Sequence, residues 1–193
     1  MTLTDDLLAI LREKTSPQHN ELHHHPVLEP LTAAPSSVQY ADALRAFYAA
    51  YSLSESRLYS HVPDFVEAPV LMWLAQDLKN HNIAQELLDI GEFAPIDTPS
   101  KAVGYAYVKQ GSTLGGRAIS RNLGEKLGLV DGVTNCFFAG YGAATGERWK
   151  HFQNILKTGT WDHSEACAQA IESFDLIKRS CDAVLKGRSQ YIA

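Results

Sequence analysis

His19 and Arg12 lie seven residues apart in an N-terminal stretch whose apolar residues recur at helical spacing. Seven residues are two helical turns, so the two side chains project from one face at a separation of roughly 10 Å. An imidazole can ligate a metal, and a guanidinium two turns away can pair with an acidic group of the same ligand. The pair is typical of a site for a metal-centred ligand with acidic edges. A lone histidine on an apolar face is more often structural, and the spacing alone leaves both interpretations open.

A run of three histidines, His23, His24 and His25, follows just before Pro26. Such a run at the end of a helix is usually a solvated corner, and a metal-binding cluster is the less common alternative. His23 lies four residues after His19 and shares its face if the helix extends that far. His23 is therefore the rival candidate for a metal ligand.

Three glycines, Gly111, Gly115 and Gly116, interrupt a long helical pattern in the segment GSTLGG. Each costs about 1 kcal/mol in a helix relative to alanine, so their clustering indicates that something approaches the backbone closely. A flat ligand lying against the main chain is one explanation, and a close helix crossing or an ordinary loop is the other. A phosphate-binding loop is disfavoured because no strand precedes the segment and no lysine follows at the required position.

The elements that must position these residues are predicted to be helices throughout. No alternating run flanked by hairpin turns is present, which indicates an all-α fold. The apolar face of the first helix, which includes His19, is formed by Leu8, Leu11 and Leu22. Because Pro17 falls inside this helix, we expect it either to begin afresh near Thr15 or Ser16, where Thr15 and Gln18 match a capping box, or to be kinked.

Capping motifs and apolar spacing predict the bounds of the later helices. The second helix is predicted to begin at Ser36, which matches a capping box with Gln39, to continue through Leu58 and to end before Pro63. Further helices are predicted at 70–78, at 83–90 with Gly91 as the C′ residue, at 100–127 with a break at 111–116, from Thr145 onward, and from Asp162, boxed by Glu165, through Leu185.

Composition limits the class of protein. The 193 residues are 45% hydrophobic, enough for one core, so we expect a single domain over residues 1–193. The net charge of -5 provides no general attraction to nucleic acid or anionic lipid. Asp5 and Asp6 stand where a signal peptide would need positive charge, and no apolar run is long enough for a membrane span, so we expect neither element. The three cysteines, Cys136, Cys167 and Cys181, lack metal-ligand spacing, so we expect a soluble protein of the reducing cytoplasm.

Several motifs resemble those of one known family. LREKTSPQHNEL resembles the first-helix motif of heme oxygenases, whose T-x-x-x-H element supplies the proximal histidine and is occupied here by Thr15 and His19. YVKQGSTLGG resembles the distal-helix motif, in the G-S-x-L-G-G form of bacterial enzymes associated with bacteriophytochromes. RAFYAAYSLSESRL, FFAGYGAATGERWKHF and SFDLIKRS are similar to the same subfamily, so the resemblance covers nearly the whole chain. The two motifs in this order are far more specific than either alone.

The resemblance implies a multi-helix domain with heme between a proximal helix bearing His19 as the iron ligand and a distal helix kinked at Gly111, Gly115 and Gly116. Arg12 and Lys150 match or fall near basic positions that face the heme propionates. The family uses heme as both cofactor and substrate and, with O2 and external electrons, produces biliverdin, carbon monoxide and free iron. Ser112 or an ordered water would donate hydrogen bonds on the distal side.

The resemblance also implies partners. The chain has neither a dinucleotide-binding fingerprint nor an iron–sulfur cysteine pattern, so the electrons must come from outside. A ferredoxin or a flavoprotein reductase is the partner that the resemblance implies. The subfamily indicates a bacteriophytochrome as the recipient of biliverdin. Neither nucleic acid nor membrane is an expected partner.

Two positions depart from the family pattern. Ser112 replaces the acidic residue of vertebrate-like enzymes, although the bacteriophytochrome-associated forms also have serine. Gln110 stands where that subfamily commonly has glutamate, which keeps open a heme-binding protein of the same fold without turnover. A thiaminase-like enzyme is a further alternative, and Cys136 is its only candidate nucleophile, although its apolar flanks are typical of an inert thiol.

Overall fold

The regular secondary structure is helical. The computed structural model describes residues 6–59, 68–86 and 88–190. Within these ranges no β-strand is formed, and only isolated bridges join Leu58 to Ile96 and Asp131 to Asn135. The helices are α1 (Leu7–His23), α2 (Glu29–Ala33), α3 (Ser37–Glu55), α4 (Val70–Asn80), α5 (Pro99–Leu127), α6 (Thr145–Thr158), which a short 3₁₀ helix (Gly142–Ala144) precedes, and α7 (His163–Gln190). The all-α fold class is confirmed.

The long helix α7 lies at the centre, where it packs against α5, α1 and α3. The crossing of α5 and α7 is close because Gly104 has no side chain: a Cβ at this position would overlap the backbone carbonyl of Ala166. None of the helices in the described ranges is both long enough and apolar enough to span a membrane.

Helix α1 runs without interruption through Pro17. Asp6 caps it, since its carboxylate accepts the N–H of Leu8 at 3.1 Å. The Thr15 hydroxyl donates to the carbonyl of Leu11 at 2.7 Å from a buried position inside the helix. The prediction of a new helix start at Thr15 or Ser16 is therefore wrong, because Thr15 satisfies its hydroxyl within the preceding turn instead of capping a new one.

Helix α3 begins at the predicted capping box. The N–H of Gln39 donates to Ser36 Oγ at 3.3 Å, and the N–H of Ser36 donates to Gln39 Oε1 at 2.9 Å. The helix ends at Glu55, three residues before the predicted Leu58. The backbone beyond it pairs with another segment, because the N–H of Ile96 donates to the carbonyl of Arg57 at 3.0 Å. Pro63 lies outside the described residues.

The segment 83–90, predicted as a helix, is irregular in its described residues 83–86 and 88–90. One distant side chain binds the backbone at its end: the Arg179 guanidinium of α7 donates to the carbonyl of Ile90 at 3.0 Å and to that of Glu92, just beyond the segment, at 2.9 Å. Gly91 has the left-handed conformation, with φ of +76°, but closes no helix. The helix predicted at 83–90 is therefore wrong, and a side chain of α7 holds the end of the segment instead.

Helix α5 begins at the Thr98 cap, continues through the glycine segment 111–116 and ends before Gly128, which has φ of +68°. The predicted break at 111–116 is therefore wrong. Glycine disfavours a helix by only about 1 kcal/mol, which packing on both sides of the segment can offset. A kink in this helix stays a prediction.

The starts of the two last helices agree with the sequence. Helix α6 begins at Thr145 as predicted, and α7 begins one residue after its cap, Asp162, which accepts the N–H of Glu165 at 3.0 Å. The Glu165 carboxylate accepts the hydroxyl proton of Thr98 at 2.7 Å. This hydrogen bond therefore joins the start of α5 to the start of α7.

Candidate functional site

A cavity of about 490 Å³ lies between α1, α5 and α7, closed at the back by α3 and the loop before the 3₁₀ helix. Its size falls in the range of small-molecule sites. Most of its wall is aliphatic, aromatic or glycine, and none of the lining residues is acidic. The lining residues are Arg12, His19, Leu22, His23, Leu28, Thr32, Phe47, Tyr107, Val108, Gly111, Ser112, Leu114, Gly115, Gly116, Ala118, Ile119, Phe137, Phe138, Trp149, Phe174 and Ile177.

His19 lines the cavity from α1. Its ring meets the Phe174 ring of α7 edge-on, with a centroid distance of 6.1 Å and an interplanar angle of 81°. The residue is exposed, and its ring nitrogens form no hydrogen bond within the described part of the chain. The buried positions that precede it on this helix face, Leu8, Leu11 and Thr15, pack into the core. His19 therefore continues the inward face of α1 at the point where that face reaches the cavity.

Arg12 and His23 also line the cavity, on either side of His19 along α1. Among the residues that line the cavity, Arg12 is the permanently charged one. The prediction that the three histidines form a solvated corner is wrong for His25, which is only 6% exposed. His25 accepts the Val27 N–H at Nδ1, and its Nε2 lies 3.1 Å from the Asp182 carboxylate of α7. Both ring nitrogens of His25 therefore have a partner, one in the local turn and one on α7, which allows the side chain to be buried.

The α5 wall contains Gly111, Gly115 and Gly116. A Cβ on Gly111 or Gly115 would meet no atom within 4 Å, so the missing side chains leave open space. A Cβ on Gly116 would lie 2.8 Å from the carbonyl oxygen of Phe138. Each of two explanations for the glycine cluster therefore holds for part of it. Gly116 allows another backbone to pack closely against α5. Gly111 and Gly115 leave the helix backbone open to the cavity.

Ser112, between these glycines, is held by two partners. Its hydroxyl donates to the carbonyl oxygen of Lys109 at 2.8 Å. Its Oγ also lies 2.9 Å from the Tyr51 hydroxyl of α3. The Ser112 hydroxyl is therefore engaged within the protein, and the expected donation by Ser112 or an ordered water on this side of the cavity stays a prediction.

A buried polar cluster that the sequence analysis missed lies next to Ser112 and consists of Ser54, Glu55, Tyr105 and Lys109. Lys109 is 2% exposed, and its ammonium lies 2.6 Å from Glu55 Oε1. Tyr105 donates to the same carboxylate at 2.7 Å and lies 3.0 Å from Ser54 Oγ. Burial, with a contribution from Glu55, raises the pKa of Tyr105 well above its ordinary value. Polar residues at positions 105, 109 and 112 share a helix face and are the signal in the sequence.

Lys150 and Gln110 do not line the cavity. Lys150 is exposed, and its neighbour Trp149 lines the cavity instead; one residue rotates a helical side chain by about 100°. Gln110 is 6% exposed, and its Oε1 has no hydrogen-bond partner among the described residues. Gln110 is therefore packed inside the protein and does not form part of the cavity wall.

Cys136 is buried beside Asp77, and burial and that carboxylate raise the pKa of its thiol to about 11. A thiol with a raised pKa is a poor nucleophile at neutral pH, which argues against the thiaminase-like alternative. Asp77 itself is fully buried and accepts the N–H groups of Cys136, at 2.7 and 2.9 Å, and Phe137, at 2.8 Å. It thereby fixes the loop that carries Phe137 and Phe138 into the cavity wall.

Comparisons with known proteins agree with this geometry. A family model described as Heme oxygenase matches residues 5–179. The chain therefore belongs to the heme oxygenase family. A search of curated proteins finds no match.

Solved structures show the same fold. Heme oxygenase-1 from the cyanobacterium Synechocystis sp. PCC6803, solved in complex with heme, is 17% identical, with a TM-score of 0.71 over 97% of this chain and 94% of that chain. The NO- and CO-bound heme oxygenase from Neisseria meningitidis is 18% identical, with a TM-score of 0.73 over 95% and 94%. The heme oxygenase from Leptospira interrogans is 18% identical, with a TM-score of 0.68 over 94% and 99%. At these identities the likeness concerns the fold.

Proposed function

We propose that the protein binds heme between α1 and α5, with His19 as the iron ligand, and oxidises it to biliverdin, carbon monoxide and free iron. Heme oxygenase activity follows from membership of the family. The observation that carries the site assignment is that His19 and the open glycines Gly111 and Gly115 line the same apolar cavity.

The cavity wall fits heme in three respects. An imidazole without a hydrogen-bond partner in the described residues faces the cavity from α1, as an iron ligand requires. The aromatic rings of Phe47, Phe137 and Phe138 provide an apolar enclosure for the macrocycle. The guanidinium of Arg12 and the absence of acidic residues from the wall suit propionate groups.

The bound heme supplies both the redox-active iron and the ring carbon that is oxidised. His19 contributes a neutral ligand, which donates less electron density than a thiolate would. The Arg12 guanidinium would pair with a propionate and so limit the rotation of the bound ring in the cavity. Gly111 and Gly115 keep side chains away from the α5 side, so the helix backbone itself would border a ligand bound in the cavity. The buried phenylalanines Phe47, Phe137 and Phe138 would keep water from their side of the bound ring.

The reaction also requires O2 and electrons from outside the protein. The proposed donor is a ferredoxin or a flavoprotein reductase, supported by the lack of a nucleotide fingerprint in the sequence. The G-S-T-L-G-G segment supports the bacteriophytochrome-associated subtype, in which a bacteriophytochrome receives the biliverdin. A cytoplasmic location and a single domain over residues 1–193 complete the proposal.

Titration of the protein with hemin, followed by addition of ascorbate or a ferredoxin system in air, tests the proposal. The expected result is a Soret band that decays while a biliverdin absorption grows. His19→Ala is expected to abolish turnover, whereas His23→Ala, the rival ligand, and His151→Ala, an exposed histidine of α6, are expected to retain it. A Soret band that persists in the wild type would leave a heme-binding protein without turnover. Loss of turnover in His23→Ala alone would assign the iron to that residue.

A further inference from the structure

His25 lies in the turn that joins α1 to α2, at one corner of the cavity. Its backbone carbonyl accepts the N–H groups of Leu28 at 2.8 Å and Glu29 at 2.9 Å, and α2 begins at Glu29. Helix α1 lines the cavity before the turn, and Leu28 and Thr32 line it after the turn, whereas His25 itself does not. The conformation of the turn therefore determines where this part of the cavity wall stands relative to α1.

The imidazole of His25 closes the same turn from its side chain. Its Nδ1 accepts the backbone N–H of Val27, two residues further on, at 3.2 Å. An asparagine side chain makes this bond in an Asx-turn, so the histidine here takes the place of a common turn residue. Val27 is 2% exposed, and without this acceptor its N–H would be buried and unpaired. The ring is therefore needed for the turn to keep its conformation.

The other ring nitrogen of His25 fixes the tautomer. Its Nε2 lies 3.1 Å from the Asp182 carboxylate of α7. A hydrogen bond from Lys178 lowers the pKa of Asp182, burial raises it and the contact with His25 lowers it; the net direction is downward. The carboxylate is therefore ionised and can only accept, while Nδ1 faces an N–H donor and needs a free lone pair. Both contacts are satisfied together by the tautomer with its proton on Nε2.

We propose that His25, as the Nε2–H tautomer, is a positioning residue that holds this turn so that Leu28 and Thr32 stand against the bound heme, while its contact with Asp182 stabilises the fold. The inference rests on the proposed function. Without the Nδ1 acceptor, the heme-free turn relaxes until the Val27 N–H reaches another partner. Heme then binds only the fraction of molecules in which the turn is native, and the observed affinity falls by that fraction.

Two substitutions of His25 separate its two contacts. His25→Asn places an oxygen where Nδ1 stands, which keeps the bond to Val27 and loses Asp182, whereas His25→Gln can donate to Asp182 and loses the turn bond. In hemin titrations followed at the Soret band, the affinity of His25→Asn is expected to stay within about twofold of the wild type, and that of His25→Gln to fall about fivefold or more. Both variants are expected to unfold at a lower urea concentration, so a general loss of stability would not produce this order.

Two further measurements leave His25 unchanged. Asp182→Ala is expected to lower the urea midpoint and to keep the hemin affinity within about twofold, because the turn bond remains. Two-bond ¹⁵N–¹H NMR of the heme-free wild type is expected to find the His25 proton on Nε2. A proton on Nδ1, an affinity of His25→Asn no higher than that of His25→Gln, or a weakened affinity in Asp182→Ala would overturn the inference while the heme site stands. A wild-type protein that binds no hemin would overturn the proposed function together with it.

Discussion

Gly115 and Gly116 are adjacent residues of α5 with opposite surroundings. Gly115 faces open space, whereas the backbone of the Phe138 loop lies directly against Gly116. Gly115 therefore matters to what the cavity can hold, and Gly116 matters to whether the wall can form. The neighbours offer a matched pair that separates ligand binding from folding.

Gly116→Ala is expected to lower the free energy of unfolding by about 1–3 kcal/mol, because its methyl group would lie 2.8 Å from the Phe138 carbonyl oxygen. Gly115→Ala is expected to keep or slightly increase stability, since alanine favours a helix by up to about 1 kcal/mol, but to weaken hemin binding about tenfold. Urea denaturation of the heme-free protein and hemin titration measure the two effects. Equal losses of stability in the two variants would contradict the open space at Gly115.

The site residues were predictable where a motif identified them. His19, Arg12, Ser112 and the glycines reach one cavity because their helix positions, taken from the resemblance, were right, while their chemical roles stay predictions. Lys150 shows the limit, since an uncertainty of one residue on a helix decides which face a side chain occupies. The buried Lys109–Glu55 pair was not predicted, because a charged residue in a helical pattern usually indicates a solvated face.

At the scale of elements, the loop before the 3₁₀ helix depends on one side chain of α4. The Asp77 carboxylate accepts the backbone N–H groups of Cys136 and Phe137 from a fully buried position. These residues lead directly into the Phe137–Phe138 wall and the backbone that packs on Gly116. The geometry of one cavity wall therefore depends on a residue that does not touch the cavity.

Asp77→Asn is expected to destabilise the protein by about 2–4 kcal/mol, because an amide offers one acceptor oxygen and places N–H donors against N–H donors. Urea denaturation measures the change, and Asp89→Asn, at an exposed carboxylate, serves as the control, with an expected effect within about 0.5 kcal/mol. Hemin binding is expected to weaken in the Asp77 variant only. A variant as stable as the control would show that the loop holds its shape without this carboxylate.

The start of a helix could be predicted where the residues that cap it lie within a few positions of that start. The Ser36 box and the Asp162 cap satisfy N–H groups a few residues away, so sequence alone identified both starts. The helix predicted at 83–90 does not form, and the bond that holds the end of this segment comes from Arg179 on α7, a distant residue that no local pattern identifies. Helices α1 and α5 continue through a proline and a glycine cluster because core packing outweighs local propensities of this size.

At the scale of the whole molecule, three buried tyrosines in α3 or packed beside it make the folded state less stable at alkaline pH. Burial raises the pKa of Tyr40, Tyr51 and Tyr105 above the ordinary value. A tyrosine is neutral when protonated, so the folded state binds these protons more tightly than the unfolded chain. Their contribution to stability is fully present below the unfolded pKa of about 10 and is lost as the pH rises from there toward the folded values.

The free energy of unfolding is therefore expected to fall above about pH 10, and Tyr40→Phe, which cannot ionise, is expected to flatten the decline. Urea denaturation at a series of pH values measures the slope, and tyrosinate absorbance reports when the buried hydroxyls ionise. These hydroxyls are expected to ionise together with the loss of tertiary structure. Complete ionisation in a still-folded protein would contradict the prediction.

The close backbone contacts at Gly104 and Gly116 limit the substitutions that this sequence can accept during evolution. At both positions α5 meets a neighbouring backbone with no side chain between them. A side chain elsewhere in the core can change in size if a neighbour changes in compensation, but a backbone atom cannot be exchanged for a smaller one. These two positions admit no compensating partner, whereas Gly115 is free to vary as soon as selection for the ligand is relaxed. A lineage that gave up its ligand would be expected to lose Gly115 first and to keep Gly104 and Gly116 for as long as it kept the fold.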